Sequence, residues 1–101
     1  PSGTAKRLYE ILVESRGYDK DKSATYGRKG EKKREANEIG LMSIRAGDIV
    51  GDHTIIFAGQ GERIELTHRA TSRDVFAYGA IRAAKFIINK EPGLYSILDL
   101  L

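Results

Sequence analysis

Leu8, Ile11, Leu12 and Ser15 recur at three- and four-residue spacing, while Lys6, Arg7, Glu10 and Glu14 fall mostly off that stripe. This period predicts an amphipathic helix near the start of the chain. Thr4 is placed to cap it and Gly17 to stop it. The period is lost over residues 18–38, which are polar from Asp19 to Lys22 and again through a basic run. They predict a long mobile connection with at most one short strand, near Thr25–Arg28.

Strand signals follow. Ile39–Arg45 predicts a strand closed by a Gly47-Asp48 turn. His53–Ala58 and Glu62–His68 predict two more, joined through Gly59-Gln60-Gly61. In the last strand Arg63, Glu65 and Thr67 alternate with Ile64, Leu66 and His68, so one face is polar. Ile55, Ile56 and Phe57 are consecutive, which predicts a sheet apolar on both faces. In so short a chain, that calls for a second layer from another subunit.

Between Arg73 and Asn89 helical spacing returns, but Val75, Phe76, Tyr78, Ile81, Phe86 and Ile87 make the helix apolar nearly all round. Such a helix is expected to be buried on most sides. Thr71 or Ser72 can cap it, and Asp74 suits its first turn. Pro92-Gly93 ends it, and Leu94–Leu101 reads as an apolar tail with a turn of helix. The order of elements predicts an α+β fold, with a mixed or antiparallel sheet and flanking helices.

A chain of 101 residues, 41% hydrophobic and 31% charged, suits one small globular domain. The lack of cysteine excludes disulfides and thiolate metal sites. No apolar run approaches a membrane span and no signal-peptide pattern is present, so a cytoplasmic protein without membrane partners is expected. The net charge of +3 is concentrated in Arg28-Lys29-Gly30-Glu31-Lys32-Lys33-Arg34. A small nucleic-acid-binding module using residues 28–34 is the alternative this run raises, but Tyr26 alone stands near it as a stacking group.

Ser2-Gly3-Thr4 is the first candidate site. Unpaired amides at a helix start favour an anion, glycine permits close approach, and hydroxyls add donors. His53 and His68 lie on neighbouring strands near Asp48 and Asp52, and structural hydrogen bonding suits them better than metal. No nucleophilic triad, G-x-G-x-x-G or P-loop occurs. Arg73 and Phe76 sit at the first turn of the late helix, where a cation is electrostatically unfavourable unless an anion adjoins it.

PSGTA before a helix, RAGDIVGDHT, and GERIELTHRATSRDVFAYGAIRAAKFI together resemble the bacterial dihydrodipicolinate reductases of lysine biosynthesis. The resemblance covers residues 1–5 and about 39–101. It implies NADPH- or NADH-dependent reduction of a small cyclic dicarboxylate to tetrahydrodipicolinate, in a homotetramer joined through its sheets. It implies that Ser2, Gly3 and Thr4 hold a substrate carboxylate, and that Arg73 and Phe76 approach the nicotinamide. Residues 1–72 would form the substrate-binding and oligomerisation domain. Residues 73–101 would pack on a dinucleotide-binding domain. That domain, and the family's His-His pair and Lys, are expected upstream of Pro1, so no catalytic residue is assigned within this chain and the chain alone is expected to be inactive.

Overall fold

Ser2, rather than Thr4, caps the first helix. In the computed structural model, which describes residues 1–101, α1 spans Gly3–Arg16 and Ser2 has extended backbone angles (φ −69°, ψ 163°). Its Oγ accepts from the Ala5 N–H at 3.2 Å. Only the residue just outside the helix can turn its hydroxyl onto that amide, and Thr4 already lies two residues past that position. Gly17 stops the helix as expected, with φ 64°. Its N–H donates to the Glu14 carbonyl at 3.1 Å, and the Tyr18 N–H donates to the Val13 carbonyl at 2.9 Å. This is a Schellman ending, and Tyr18 packs on the cluster that contains Val13.

Contacts divide the chain into two units, Pro1–Gly47 and Asp48–Leu101. The core of the first is Tyr9, Val13 and Leu41, flanked by Tyr18, Ala24 and Ile39. The buried face of α1 is therefore displaced from the predicted stripe: Tyr9 and Val13 point inward, while Ile11 and Ser15 are exposed. Tyr9 is admitted to the core because its hydroxyl donates to the Lys20 carbonyl at 2.7 Å, satisfying the polar end of the ring.

Strand β1 (Ala24–Thr25) pairs with β2 (Ile39–Gly40) in parallel, with Ala24 opposite Ile39. The strand expected over 39–45 is thus confined to two residues. Leu41 makes one more bond, its N–H to the Thr25 carbonyl at 2.8 Å, and β1 offers nothing beyond it. The connection between β1 and β2 is organised by Glu38, whose side chain is only 8% exposed. Its carboxylate accepts from Arg28 and from the Glu35 N–H. The Glu35 amide, the Thr25 side chain and the Arg28 charge together hold the Glu38 carboxyl below the usual carboxylate range.

In the second unit, β3 (Gly51–Gly59) and β4 (Glu62–Ala70) form an antiparallel hairpin. Its register corrects the expectation of two apolar faces. His53 opposes His68, Ile55 opposes Leu66 and Phe57 opposes Ile64 on one face. The other carries Asp52 with Arg69 (3.3 Å), Thr54 with Thr67 (2.9 Å), Ile56 with Glu65, and Ala58 with Arg63. Of the three consecutive apolar residues, only Ile56 falls among polar neighbours. The α+β fold is as expected, its strands forming two two-stranded sheets, one parallel and one antiparallel.

Helix α2 spans Asp74–Ile87. Ser72 supports its start by accepting from the Asp74 N–H at 3.1 Å. The tail closes on its other end. Tyr95 meets Phe86 edge to face, with ring centroids 5.9 Å apart, and Ser96 and Asp99 form a capping box on the 3₁₀ turn Ile97–Leu100. No residue of α2 is buried, against the expectation for so apolar a helix. The elements in this chain do not cover it.

The accessible surface totals 9106 Å². Large apolar side chains of the hairpin, α2 and the tail stand exposed, among them Ile64, Leu66, Tyr78, Ile88 and Leu94.

Gly17→Ala is expected to destabilise the first unit by about 1 kcal/mol, because φ is positive there although an added Cβ meets nothing within 4 Å. Val13→Ala, which empties part of the core, is expected to cost about 2 kcal/mol. Urea unfolding measures both. Burial, followed by the charges near it, raises the Tyr9 hydroxyl above its ordinary 10.0. Its contribution is whole below pH 10 and is lost as pH rises through the raised value. Tyr9→Phe should remove that alkaline dependence, at a cost of about 1 kcal/mol near neutral pH.

Candidate functional site

The start of α1 leaves two backbone donors free. The Ala5 amide is taken by Ser2 Oγ and the Lys6 amide by the Ser2 carbonyl at 3.0 Å. The amides of Gly3 and Thr4 have no partner within the chain. No acidic residue lies in the first turn. Glu10, two turns on, is bound by Arg7 at 3.1 Å and Lys20 at 3.2 Å, which hold its carboxyl below the usual range. The turn therefore presents free N–H groups at the positive end of the helix dipole, with no carboxylate of its own to occupy them.

Ser2, Gly3 and Thr4 are brought together on this turn. The Ser2 hydroxyl accepts from Ala5 and keeps its own proton to donate, since a hydroxyl does both. Thr4 is exposed and its hydroxyl is unengaged. A Cβ built at Gly3 would meet nothing within 4 Å, and its φ is not positive. Neither packing nor backbone geometry in this chain requires glycine there.

Arg73 and Phe76 belong to the other unit. Arg73 occupies the N-cap position of α2 in helical conformation and makes no side-chain capping bond. Its carbonyl accepts from the Phe76 N–H at 3.0 Å. Phe76 is 54% exposed. A free guanidinium one helical turn from an open aromatic ring suits a flat heteroaromatic group that carries phosphate.

His53 and His68 face each other across the hairpin, as their strands suggested. The pleat sends Asp52 to the opposite face, where it pairs with Arg69. No group of three His, Asp or Glu side chains is placed to hold a metal ion.

The basic run is partly neutralised from within. Arg28 pairs with Glu38, and Lys32 with Glu35 at 2.8 Å. A recess of about 310 Å³ lies here, lined by Lys22, Thr25, Arg28, Lys29, Lys32 and Glu38 among others, and it includes none of Ser2, Gly3 or Thr4. Glu38 is the site residue that sequence reasoning missed. Nothing local distinguishes it from thirteen other carboxylates, because its role depends on a residue ten positions away.

All 101 residues match the family model described as dihydrodipicolinate reductase, C-terminus. The chain is 59% identical to a 4-hydroxy-tetrahydrodipicolinate reductase of Aquifex aeolicus, covering all of this chain and 37% of that protein. Proteins of the same name from Syntrophotalea carbinolica and Trichlorobacter lovleyi are 55% and 52% identical, each with 38% of its length matched. The chain thus spans little more than a third of these relatives. With its α+β architecture and a match along its whole length, the chain belongs to the dihydrodipicolinate reductase C-terminal family.

Proposed function

We propose that this chain is the substrate-binding and oligomerisation part of a 4-hydroxy-tetrahydrodipicolinate reductase, acting in diaminopimelate and lysine biosynthesis in the cytoplasm. The observation that carries the reading is the open first turn of α1, within a chain that matches this reductase family from end to end. The Gly3 and Thr4 amides and the Ser2 and Thr4 hydroxyls converge on one carboxylate of a small cyclic dicarboxylate. Gly3 lets that carboxylate approach the backbone, a use for glycine that the chain's own packing does not supply.

NADPH or NADH, when bound, supplies the hydride. Arg73 and Phe76 would meet its nicotinamide end, with Phe76 offering a flat apolar surface and Arg73 a charge for an anionic group. The work of this chain is to hold the substrate ring still by its carboxylate, which turns a bimolecular encounter into an oriented one. The proton donor and the dinucleotide-binding turn are assigned to the two thirds of the relatives' length that lie outside the match. The chain alone is accordingly inactive.

Residues 1–72 are assigned to substrate binding and assembly into a homotetramer through the hairpin sheet. Residues 73–101 are assigned to packing on a dinucleotide-binding domain, which gives α2 the cover it lacks here. The nucleic-acid alternative gains nothing from the basic run, since two of its cations are already paired.

Titration calorimetry with pyridine-2,6-dicarboxylate tests the cradle. Gly3→Ala should stabilise α1 by about 0.5 kcal/mol, through the smaller entropy of the unfolded chain. It should nonetheless weaken dicarboxylate binding about tenfold, about 1.4 kcal/mol. Thr4→Ala should lower affinity by a similar factor with little change in stability. Unaltered affinity in both variants would show that the carboxylate sits elsewhere.

A further inference from the structure

The recess of about 310 Å³ beside the β1–β2 connection shares no residue with the first turn of α1, and the function proposed above leaves it unused. Its walls come from one stretch of chain, residues 22–38. They carry four cations, Lys22, Arg28, Lys29 and Lys32, against two carboxylates, Glu35 and Glu38. Both carboxylates are already engaged. Glu38 accepts from Arg28 on one oxygen and from the Glu35 N–H on the other, and Glu35 takes Lys32 at 2.8 Å. Two positive charges are left over. Lys29 makes no ion pair. Lys22 has only Asp19, at 3.6 Å, with the two side chains 84% and 50% exposed, and so exposed a pair holds weakly in water. Arg28 reaches Glu38 through Nη2 alone, so the other N–H groups of its fork remain to donate.

The frame around these cations is fixed by the chain itself. Strands β1 and β2 pin its two ends, where the Ile39 N–H donates to the Ser23 carbonyl at 2.7 Å. Glu38 ties Arg28 to Glu35 across the loop. Gly27, Gly30 and Asn37 turn the backbone with positive φ of 78°, 72° and 62°. Donors gathered in this way lose less freedom on binding than those of a loose basic tail. Two free ammonium groups and an open guanidinium edge suit a dianion with several acceptor oxygens, and arginine matches phosphate through paired N–H groups. The volume lies at the lower limit of small-molecule sites, roughly 300–1,000 Å³. It suits a phosphate or a small phosphomonoester rather than a whole dinucleotide.

We propose that this recess binds a phosphate dianion, free or carried on a small phosphomonoester, through Lys22, Arg28 and Lys29. The site is separate from the carboxylate cradle and stands independently of the reductase reading.

Titration calorimetry of the whole chain with inorganic phosphate and with ribose 5-phosphate, at low ionic strength and neutral pH, tests this. Both are expected to bind. Tighter binding of the ester identifies a phosphomonoester as the ligand, and equal or weaker binding identifies phosphate itself. Lys22→Ala and Lys29→Ala should each weaken binding about fivefold, the upper end for an exposed ion pair. Lys33→Ala removes the same charge from the same basic run but outside the recess, and should change affinity less than about twofold. Glu38→Gln adds a net positive charge yet should weaken binding, because Arg28 and Glu35 lose their common tie. Urea unfolding on the same samples checks that each variant is folded, and the exposed lysine variants carry the test should Glu38→Gln fail to fold. Gly3→Ala, aimed at the cradle, should leave phosphate affinity unchanged. Four results each overturn the proposal: no binding of either probe at millimolar concentration, equal losses in Lys29→Ala and Lys33→Ala, tighter binding by folded Glu38→Gln, or weaker phosphate binding by Gly3→Ala.

Discussion

Tyr9 and Val13 docked against Leu41 hold α1 in place, and the candidate carboxylate cradle depends on that contact. The cradle is only the first turn of a helix, and a free helix of fourteen residues is marginal in water. Here the helix is fixed at both ends. Ser2 takes the Ala5 and Lys6 amides and Gly17 the Glu14 carbonyl, and Tyr9 joins the helix to the following segment through the Lys20 carbonyl. The amides of Gly3 and Thr4 stay free because the turn around them is determined by its neighbours. A binding site of this kind needs a rigid support more than it needs chemistry of its own.

The second unit has the opposite character. Its hairpin is well paired and its helix well formed, yet Ala70 is its only buried residue. An isolated two-stranded hairpin is marginally stable at best. Ile64, Leu66, Phe76, Tyr78 and Ile81 are large apolar side chains that this unit leaves exposed. A family match that spans little more than a third of its relatives agrees with this.

Much of this was legible along the chain. The two principal helices, the Gly17 stop and the long hairpin follow from local period and turn residues, because each is made by neighbours within a few positions. The candidate anion site at Ser2-Gly3-Thr4 was legible for the same reason. The cap itself lies two residues before the one expected, since Ser2 and Thr4 both carry a capping hydroxyl and the extended backbone at Ser2 separates them. The extent of β2 was read too long, because a strand lasts only as long as its partner and β1 has two residues.

The sequence by itself determined the elements, the lack of thiol chemistry, and an apolar content in the hairpin and α2 that exceeds what 101 residues can bury. Tertiary structure alone decided which residues share a face. The hairpin register placed His53 opposite His68 and moved Asp52 away from them. The fold of residues 24–40 singled out Glu38 from the other carboxylates by bringing Arg28 to it. Period and composition act over a few residues, whereas register and ion pairing join positions ten or more apart, and only the folded chain sets those distances.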